Sequence, residues 1–158
     1  MMMKICLWVA AGVAMSMAAG CAVMPYQPAA NEPMASVKYF GWGSPRICKG
    51  GKMYSLSSVG NSDVYQVPVG QPIAFGANLQ SGGYNVTYFC NPWLGFTPEA
   101  NRTYVANAGL AAAGRCFIEL VREDNSRETG VAVEPTLARA PSCTAPPPAA
   151  SAAASAPR

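Results

Sequence analysis

Few side chains in this 158-residue chain could do chemistry, and the set has one decisive gap. It contains six cysteines and eight carboxylates but no histidine. Without histidine there is no Ser-His or Cys-His nucleophile pair and no histidine-containing metal site. No two cysteines have the Cys-x-x-Cys spacing of a redox or zinc motif. We therefore expect no enzyme, cofactor or metal site, and a glycosidase-like carboxylate pair at Glu119 and Glu123 is the remaining catalytic alternative.

Two of the cysteines lie near the N-terminus, in a segment with the layout of a secretory signal. Lys4 supplies a positive charge, residues 5–17 are apolar except for one serine, and small residues then lead to Cys21. The sequence Ala-Ala-Gly-Cys ending at Cys21 resembles the lipobox of bacterial lipoproteins. It departs from that family at Ala18, where the family prefers leucine.

The lipobox resemblance implies an anchor and a location. Residues 1–20 would be removed as a signal peptide, and Cys21 would become an N-terminus acylated with fatty acids such as palmitate. Once Cys6 has left and Cys21 is acylated, four cysteines remain, an even number that can pair completely. The family's sorting rule uses an aspartate after the cysteine for inner-membrane retention. Because Ala22 stands there, we expect the periplasmic side of the outer membrane, with the inner membrane or free periplasm as alternatives.

Two other outcomes for the N-terminal segment remain open. The uncharged run over residues 5–24 is long enough to span a membrane as an uncleaved anchor. An ordinary signal peptidase could instead cleave after Gly20 and leave no lipid.

The remaining four cysteines are expected to form structural disulfides in an oxidising compartment. Cys90 ends one predicted strand and Cys116 begins another, and the connection between them returns the chain. We therefore expect a Cys90–Cys116 bond, which leaves Cys48 and Cys143 to pair. Four cysteines allow three connectivities, and a free or intermolecular Cys143 is a further alternative.

Residues 35–137 are typical of an all-β fold. Short runs of β-formers alternate with Gly and Pro turn signals, which predicts a small antiparallel β-sandwich of about seven or eight strands. Residues 21–34 contain three prolines and are predicted to be a disordered, lipidated spacer. Residues 138–158 are almost entirely Ala, Pro and Ser, and are predicted to be a disordered tail.

Part of this β-region resembles small β-sandwich lipoproteins of proteobacteria, most of them uncharacterised. The resemblance rests on a Val-Pro-x-Gly turn entering a strand, a Phe-x-Pro segment that precedes a tyrosine, and two cysteines near strand ends. These features lie at Val67–Phe75, Cys90, Phe96–Ala100, Tyr104 and Arg115–Leu120. The resemblance implies a sandwich fold and an envelope location, and no activity.

Loop aromatics are the remaining candidates for a binding site. Trp42 and Trp93 each lie beside Gly or Pro, and Trp93 and Leu94 would form an apolar patch if they were exposed together. We therefore predict a possible interaction loop at Trp42, Trp93 and Leu94.

These features predict a membrane-anchored periplasmic lipoprotein that acts as a structural or protein-interaction module, with an unidentified envelope protein as its partner. The alternative is a glycan- or peptidoglycan-binding module that uses the loop aromatics. A nucleic-acid partner is not expected, because the net charge is only +3 and the basic residues are scattered.

Overall fold

The computed structural model describes residues 23–111, 114–140 and 143, and these ranges contain eleven β-strands and no α-helix. The strands are β1 (Met24–Pro25), β2 (Met34–Tyr39), β3 (Ser44–Lys49), β4 (Lys52–Ser55), β5 (Val64–Pro68), β6 (Ile73–Gly83), β7 (Val86–Cys90), β8 (Trp93–Phe96), β9 (Thr103–Leu110), β10 (Cys116–Glu123) and β11 (Val131–Val133). The all-β prediction is confirmed. The strand count is higher than expected because β1, β3 and β8 lacked a clear signal: β1 and β8 are short, and β3 contains Pro45.

The strands form two sheets. The first has the order β1-β4-β3-β6-β7. Strands β7 and β8 pair with the same edge of β6: β7 with its C-terminal half and β8 with its N-terminal half. The second has the order β11-β10-β9-β2-β5. Most pairs are antiparallel as predicted, but β1 with β4 and β2 with β9 are parallel. The parallel β2–β9 pair joins segments that are far apart in the chain, with strands β3 to β8 between them.

One hydrophobic core lies between the sheets, as expected for a sandwich. Inward-facing residues alternate along the strands because successive side chains of a strand point to opposite faces. In β2 the buried positions are Ala35, Val37 and Tyr39, and the long strand β6 contributes Phe75 and Leu79 among others. All belong to one cluster that both sheets line.

The segment from Val67 to Ile73 carries the chain from the second sheet to the first. Val67 is buried at the end of β5, and Ile73 is buried at the start of β6. Gly70 between them has a φ of 78°, in the region that glycine adopts without strain, and its N–H donates to the Pro98 carbonyl. The Val-Pro-x-Gly turn therefore connects the two layers.

Two disulfide bonds staple the fold, with the partners predicted from the sequence. Cys48 of β3 is bonded to Cys143, 95 residues away, with a Cα–Cα distance of 5.5 Å; we call this the long-loop disulfide. Cys90 of β7 is bonded to Cys116 of β10, 26 residues away, with a Cα–Cα distance of 6.4 Å; we call this the short-loop disulfide. The short-loop disulfide joins the two sheets.

The fold begins earlier than the predicted boundary at residue 35. Met24 and Pro25 form β1, so this part of the expected spacer belongs to the first sheet. Glu32 anchors the same segment: it accepts hydrogen bonds from the Tyr26 hydroxyl at 2.8 Å and from Lys49 Nζ at 2.6 Å. The predicted signal peptide and Cys21 lie outside the described residues.

At the other end, the fold continues past the predicted boundary at residue 137. Ala138 and Gly95 exchange two backbone hydrogen bonds of 2.7 and 2.8 Å, so this first residue of the expected tail pairs with β8. Residues 144–158 of that tail lie outside the described residues.

Candidate interaction surface

The feature that most resembles a binding site is a group of exposed apolar side chains at one end of the sandwich. Each is between 47% and 96% exposed, and Tyr84 is the most exposed. We call this group the distal apolar surface; it consists of Phe40, Trp42, Tyr84, Val86, Tyr88 and Phe89. At about 200 Å² per aromatic side chain, its five aromatic residues expose roughly 700 Å².

Four of these residues lie on a hairpin that extends beyond the rest of the first sheet. β3 pairs with β6 only as far as Asn78, whereas β6 continues to Gly83. At about 3.4 Å per residue, the hairpin projects roughly 17 Å past the last β3 pair. A two-residue turn, Tyr84–Asn85, reverses the chain, and Asn85 has a φ of 64°, which asparagine tolerates better than most residues.

Large and small residues are divided unequally between the two strands of the hairpin. Tyr88 of β7 lies opposite Ser81 of β6, and Val86 lies opposite Gly83. Gly82 has no heavy atom within 4 Å of the place where a Cβ would stand. Because β6 contributes so little side-chain volume here, the apolar side chains of β7 remain uncovered.

The hairpin is nevertheless held firmly at its base. Leu79 is buried, and it lies opposite Cys90, whose disulfide partner belongs to the other sheet. Side chains two residues apart share a face of a strand, so Tyr88 and Val86 continue the inward-facing row that begins at Cys90. Gly114, which precedes β10, lies beside the Tyr88 ring: a Cβ there would be 3.8 Å from Tyr88 Cε1.

The β2–β3 loop carries the other two residues of the surface, and backbone bonds fix its position. The N–H groups of Phe40 and Trp42 donate to the carbonyls of Ala106 and Ala108, each at 3.0 Å. The hydroxyl of Tyr39 donates to the Trp42 carbonyl. Burial, followed by repulsion from Tyr65, raises the pKa of Tyr39 to about 12, so this hydroxyl remains protonated at neutral pH.

Close packing explains the glycines of this loop. A Cβ at Gly41 would lie 2.5 Å from the backbone nitrogen of Ala108, and Gly43 has a φ of 78°. Gly43 also packs against the backbone of Asn78, directly below the hairpin. The loop and the hairpin therefore lie at the same end of the fold.

Both ends of the described chain lie at the opposite end of the fold. β1 runs parallel to β4, so the chain enters β1 from the end where the β3–β4 turn, Gly50–Gly51, is found. Cys143 is bonded to Cys48, which is close to the same turn. The distal apolar surface therefore faces away from the end at which the chain enters and leaves the fold.

The predicted interaction loop is only partly correct. Trp42 is 63% exposed and belongs to the distal apolar surface. Leu94 is 6% exposed and lies in the core, so the predicted exposed pair with Trp93 does not form. Trp93 is half-buried, and its ring covers Gly76: a Cβ there would lie 2.5 Å from Trp93 Cε3. The prediction failed because the segment after Pro92 is a core strand, β8, and is not a loop.

Sequence reasoning also missed the exposed hairpin residues. Alternation along β7 is compatible with burial on one face, and only the tertiary structure shows that Val86, Tyr88 and Phe89 are exposed among the described residues. A usable signal was present in residues 80–89, which contain two glycines in β6 and no charged residue.

The described residues offer little catalytic chemistry. They contain no group of three or more His, Cys, Asp or Glu side chains that could hold a metal ion. Of the two glutamates considered for hydrolysis, Glu123 forms an ion pair with Lys38 at 2.6 Å, and Glu119 is exposed. No helix in this part of the chain is long and apolar enough to cross a membrane.

Comparisons of the chain with protein-family models, with curated proteins and with solved structures found no match.

Proposed function

We propose that this chain is a lipid-anchored envelope protein that binds another polypeptide through the distal apolar surface. The observation that carries the proposal is the group of exposed aromatic side chains on the hairpin and the β2–β3 loop, roughly 700 Å² summed over all their faces, at an end of the fold tied by a disulfide bond. A standard protein–protein interface buries about 800 Å² on each partner. Aromatic residues are also the residues most enriched at the centres of such interfaces.

The lipid anchor is supported by the sequence before Cys21 and by the polarity of the fold. The described chain begins at Val23, two residues after Cys21, and enters the sandwich at the end opposite the hairpin. An anchor on Cys21 would therefore hold the domain by the end that lacks the aromatic surface. Acyl chains contribute about 0.8 kcal/mol per buried methylene, so two or more make a stable anchor.

The anchor is tested by mass spectrometry of the mature N-terminal peptide. We expect a chain that begins at Cys21, with its mass increased by the acyl groups. A mature chain with an unmodified Cys21 thiol, or with residues 1–20 still attached, would show that the anchor is absent.

The binding surface is tested by photo-crosslinking in cells with the full chain. Tyr84 is replaced by p-benzoylphenylalanine, which keeps an aromatic ring at the most exposed position of the surface. The matched control places the same residue at Val133 of β11, which is 75% exposed and lies outside the surface. We expect a discrete protein adduct from position 84 only. Equal adducts from both positions, or none, would contradict the proposal.

A second candidate function is glycan or peptidoglycan binding, favoured by the exposed ring of Trp42, whose backbone N–H is bonded to the Ala108 carbonyl. Flat sugar faces stack on such rings. Sedimentation of the protein with purified sacculi tests this function. Trp42→Ala should abolish co-sedimentation, whereas Trp93→Ala should preserve it because Trp93 is packed over Gly76. Unaltered binding by both variants would exclude stacking on Trp42.

A further inference from the structure

The outer edge of β7 is free among the described residues, because β7 is the last strand of the first sheet. The hydrogen-bonded turn of the hairpin closes on Val86. Backbone groups alternate in direction along an antiparallel strand, so Val86, Tyr88 and Cys90 direct theirs towards β6. Thr87 and Phe89 then direct their N–H and C=O groups to the free edge. This edge can accept another extended strand.

The hairpin lacks the features that usually protect a free edge. Natural edge strands are commonly blocked by lysine, proline or a β-bulge. Residues 80–89 contain no charged residue and no proline, and the β6–β7 register is continuous from Leu79–Cys90 to Gly83–Val86. An uncharged, regular edge of this kind is suited to pairing with another uncharged strand.

Two apolar side chains of β7 also lack large neighbours within their own hairpin. Tyr88 and Val86 lie opposite only Ser81 and Gly83. Cross-strand pairs of aromatic and β-branched residues stabilise a sheet by roughly 0.2–1 kcal/mol each. The free edge of β7 is the position from which such neighbours could still be supplied.

We propose that a second copy of this chain supplies these cross-strand neighbours. In the resulting dimer, β7 of one copy pairs antiparallel with β7 of the other about a two-fold axis at Tyr88. This inference rests on the function proposed above and names its partner. In this register all five residues of β7 have an opposite residue: Tyr88 faces Tyr88, Thr87 faces Phe89, and Val86 faces Cys90. The free backbone groups of Thr87 and Phe89 bond to each other across the axis.

Charge and geometry both permit this pairing. An uncharged strand meets its own copy without the repulsion that opposed like charges would cause. The hairpins project beyond the two sandwiches, so they can lie side by side while the folded bodies remain apart. Since the chain ends lie opposite the hairpin in each copy, the dimer is elongated and carries its two anchoring ends at its two extremes.

Engineered cysteines test the register in the full chain, in membranes. Facing residues of an antiparallel pair have Cβ atoms about 5 Å apart, so Tyr88→Cys should form a disulfide-linked dimer under mild oxidation. Tyr84→Cys is the matched control, because Tyr84 is more exposed but lies roughly 26 Å from its counterpart in this register. We expect at least a tenfold larger dimer fraction for Tyr88→Cys. Equal fractions, or no dimer from Tyr88→Cys, would overturn the proposal.

A second substitution separates strand pairing from contact by apolar side chains. Thr87→Pro, added to Tyr88→Cys, removes an N–H that faces the free edge and leaves the β6 pairing intact, since proline is tolerated on edge strands. We expect it to abolish the crosslinked dimer, whereas Thr87→Val should retain it. If Thr87→Pro leaves the dimer unchanged, the copies do not meet through β7.

The two proposals can fail separately. A photo-adduct at position 84 that contains only a different protein, together with no Tyr88→Cys dimer, would leave the binding surface valid and exclude self-pairing. The absence of any adduct would contradict the proposed function itself.

Discussion

Gly76→Ala is the substitution for which the structure predicts the clearest effect. Gly76 is buried in β6, and the ring of Trp93 lies on it: an added Cβ would lie 2.5 Å from Trp93 Cε3 and 2.7 Å from the Pro92 carbonyl oxygen. Real Cβ atoms do not approach other heavy atoms this closely, so Trp93 must move. Overpacking of this kind destabilises a protein by about 1–3 kcal/mol.

The same strand provides the control. Gly82 also lies in β6, and no heavy atom is found within 4 Å of its missing Cβ. Neither glycine has a positive φ, so alanine is compatible with the backbone at both positions. Gly82→Ala should be neutral or stabilise the fold slightly, because alanine restricts the unfolded chain. The difference between the two variants therefore measures the packing of Trp93 and the Pro92 carbonyl against Gly76.

Thermal unfolding of the oxidised protein, followed by circular dichroism, gives the measurement. At about 4 °C per kcal/mol, Gly76→Ala should lower Tm by roughly 4–12 °C relative to Gly82→Ala. In a Trp93→Ala background the effect of Gly76→Ala should decrease by at least about 1 kcal/mol, because the ring is no longer there to be displaced. If Gly76→Ala is as stable as Gly82→Ala, Trp93 is not packed over the sheet and could belong to a binding surface after all.

Three further predictions follow from the staples, the ion pair near the N-terminus and the β2–β3 loop. Replacing both cysteines of the long-loop disulfide with serine should lower the free energy of unfolding by about 4.7 kcal/mol, against about 3.5 kcal/mol for the short-loop disulfide, because the entropy that a disulfide removes from the unfolded chain grows with loop length. Denaturant titration measures both losses, and a larger loss for the short-loop disulfide would contradict this explanation. The hydrogen bond from Lys49 is the main cause of the lowered pKa of Glu32, so the stability from this carboxylate is present above its ordinary pKa of 4.5 and is lost as the pH falls through the lowered folded-state value. Lys49→Met should therefore lower the free energy of unfolding at pH 7 and make its decrease with falling pH less steep. An unchanged dependence of the unfolding free energy on pH would show that the Lys49–Glu32 pair does not cause this decrease. Tyr39→Phe removes the hydrogen bond to the Trp42 carbonyl and should destabilise the fold by about 1 kcal/mol, with faster backbone amide exchange at Trp42; unaltered exchange would show that this bond does not hold the loop.

Local patterns carried the sequence predictions that the structure confirms. Period-two alternation identified strands such as the one containing Phe75, and it indicated which residues face the core. The cysteine positions at predicted strand ends indicated that Cys90 and Cys116 would meet, because the connection between the two strands returns the chain. These signals are readable in sequence because alternation and strand reversal are properties of neighbouring residues.

Sequence patterns could not distinguish a covered strand face from an uncovered one. Trp93 and Leu94 have the composition of an exposed loop, and Tyr88 that of a core strand, yet the structure reverses these roles. Residues in the sandwich are covered only where the second sheet extends far enough to reach them, and that depends on pairings between distant segments.

By itself, then, the sequence determined the all-β character, favoured one of three disulfide pairings and gave the expectation of an acylated Cys21, since each depends on residue type and local order. Only the tertiary structure decided that β6 extends beyond the end of β3, so that its pairing with β7 continues past the last β3 pair. The physical reason is that exposure depends on how far the two sheets overlap, and no local pattern of residues contains that extent.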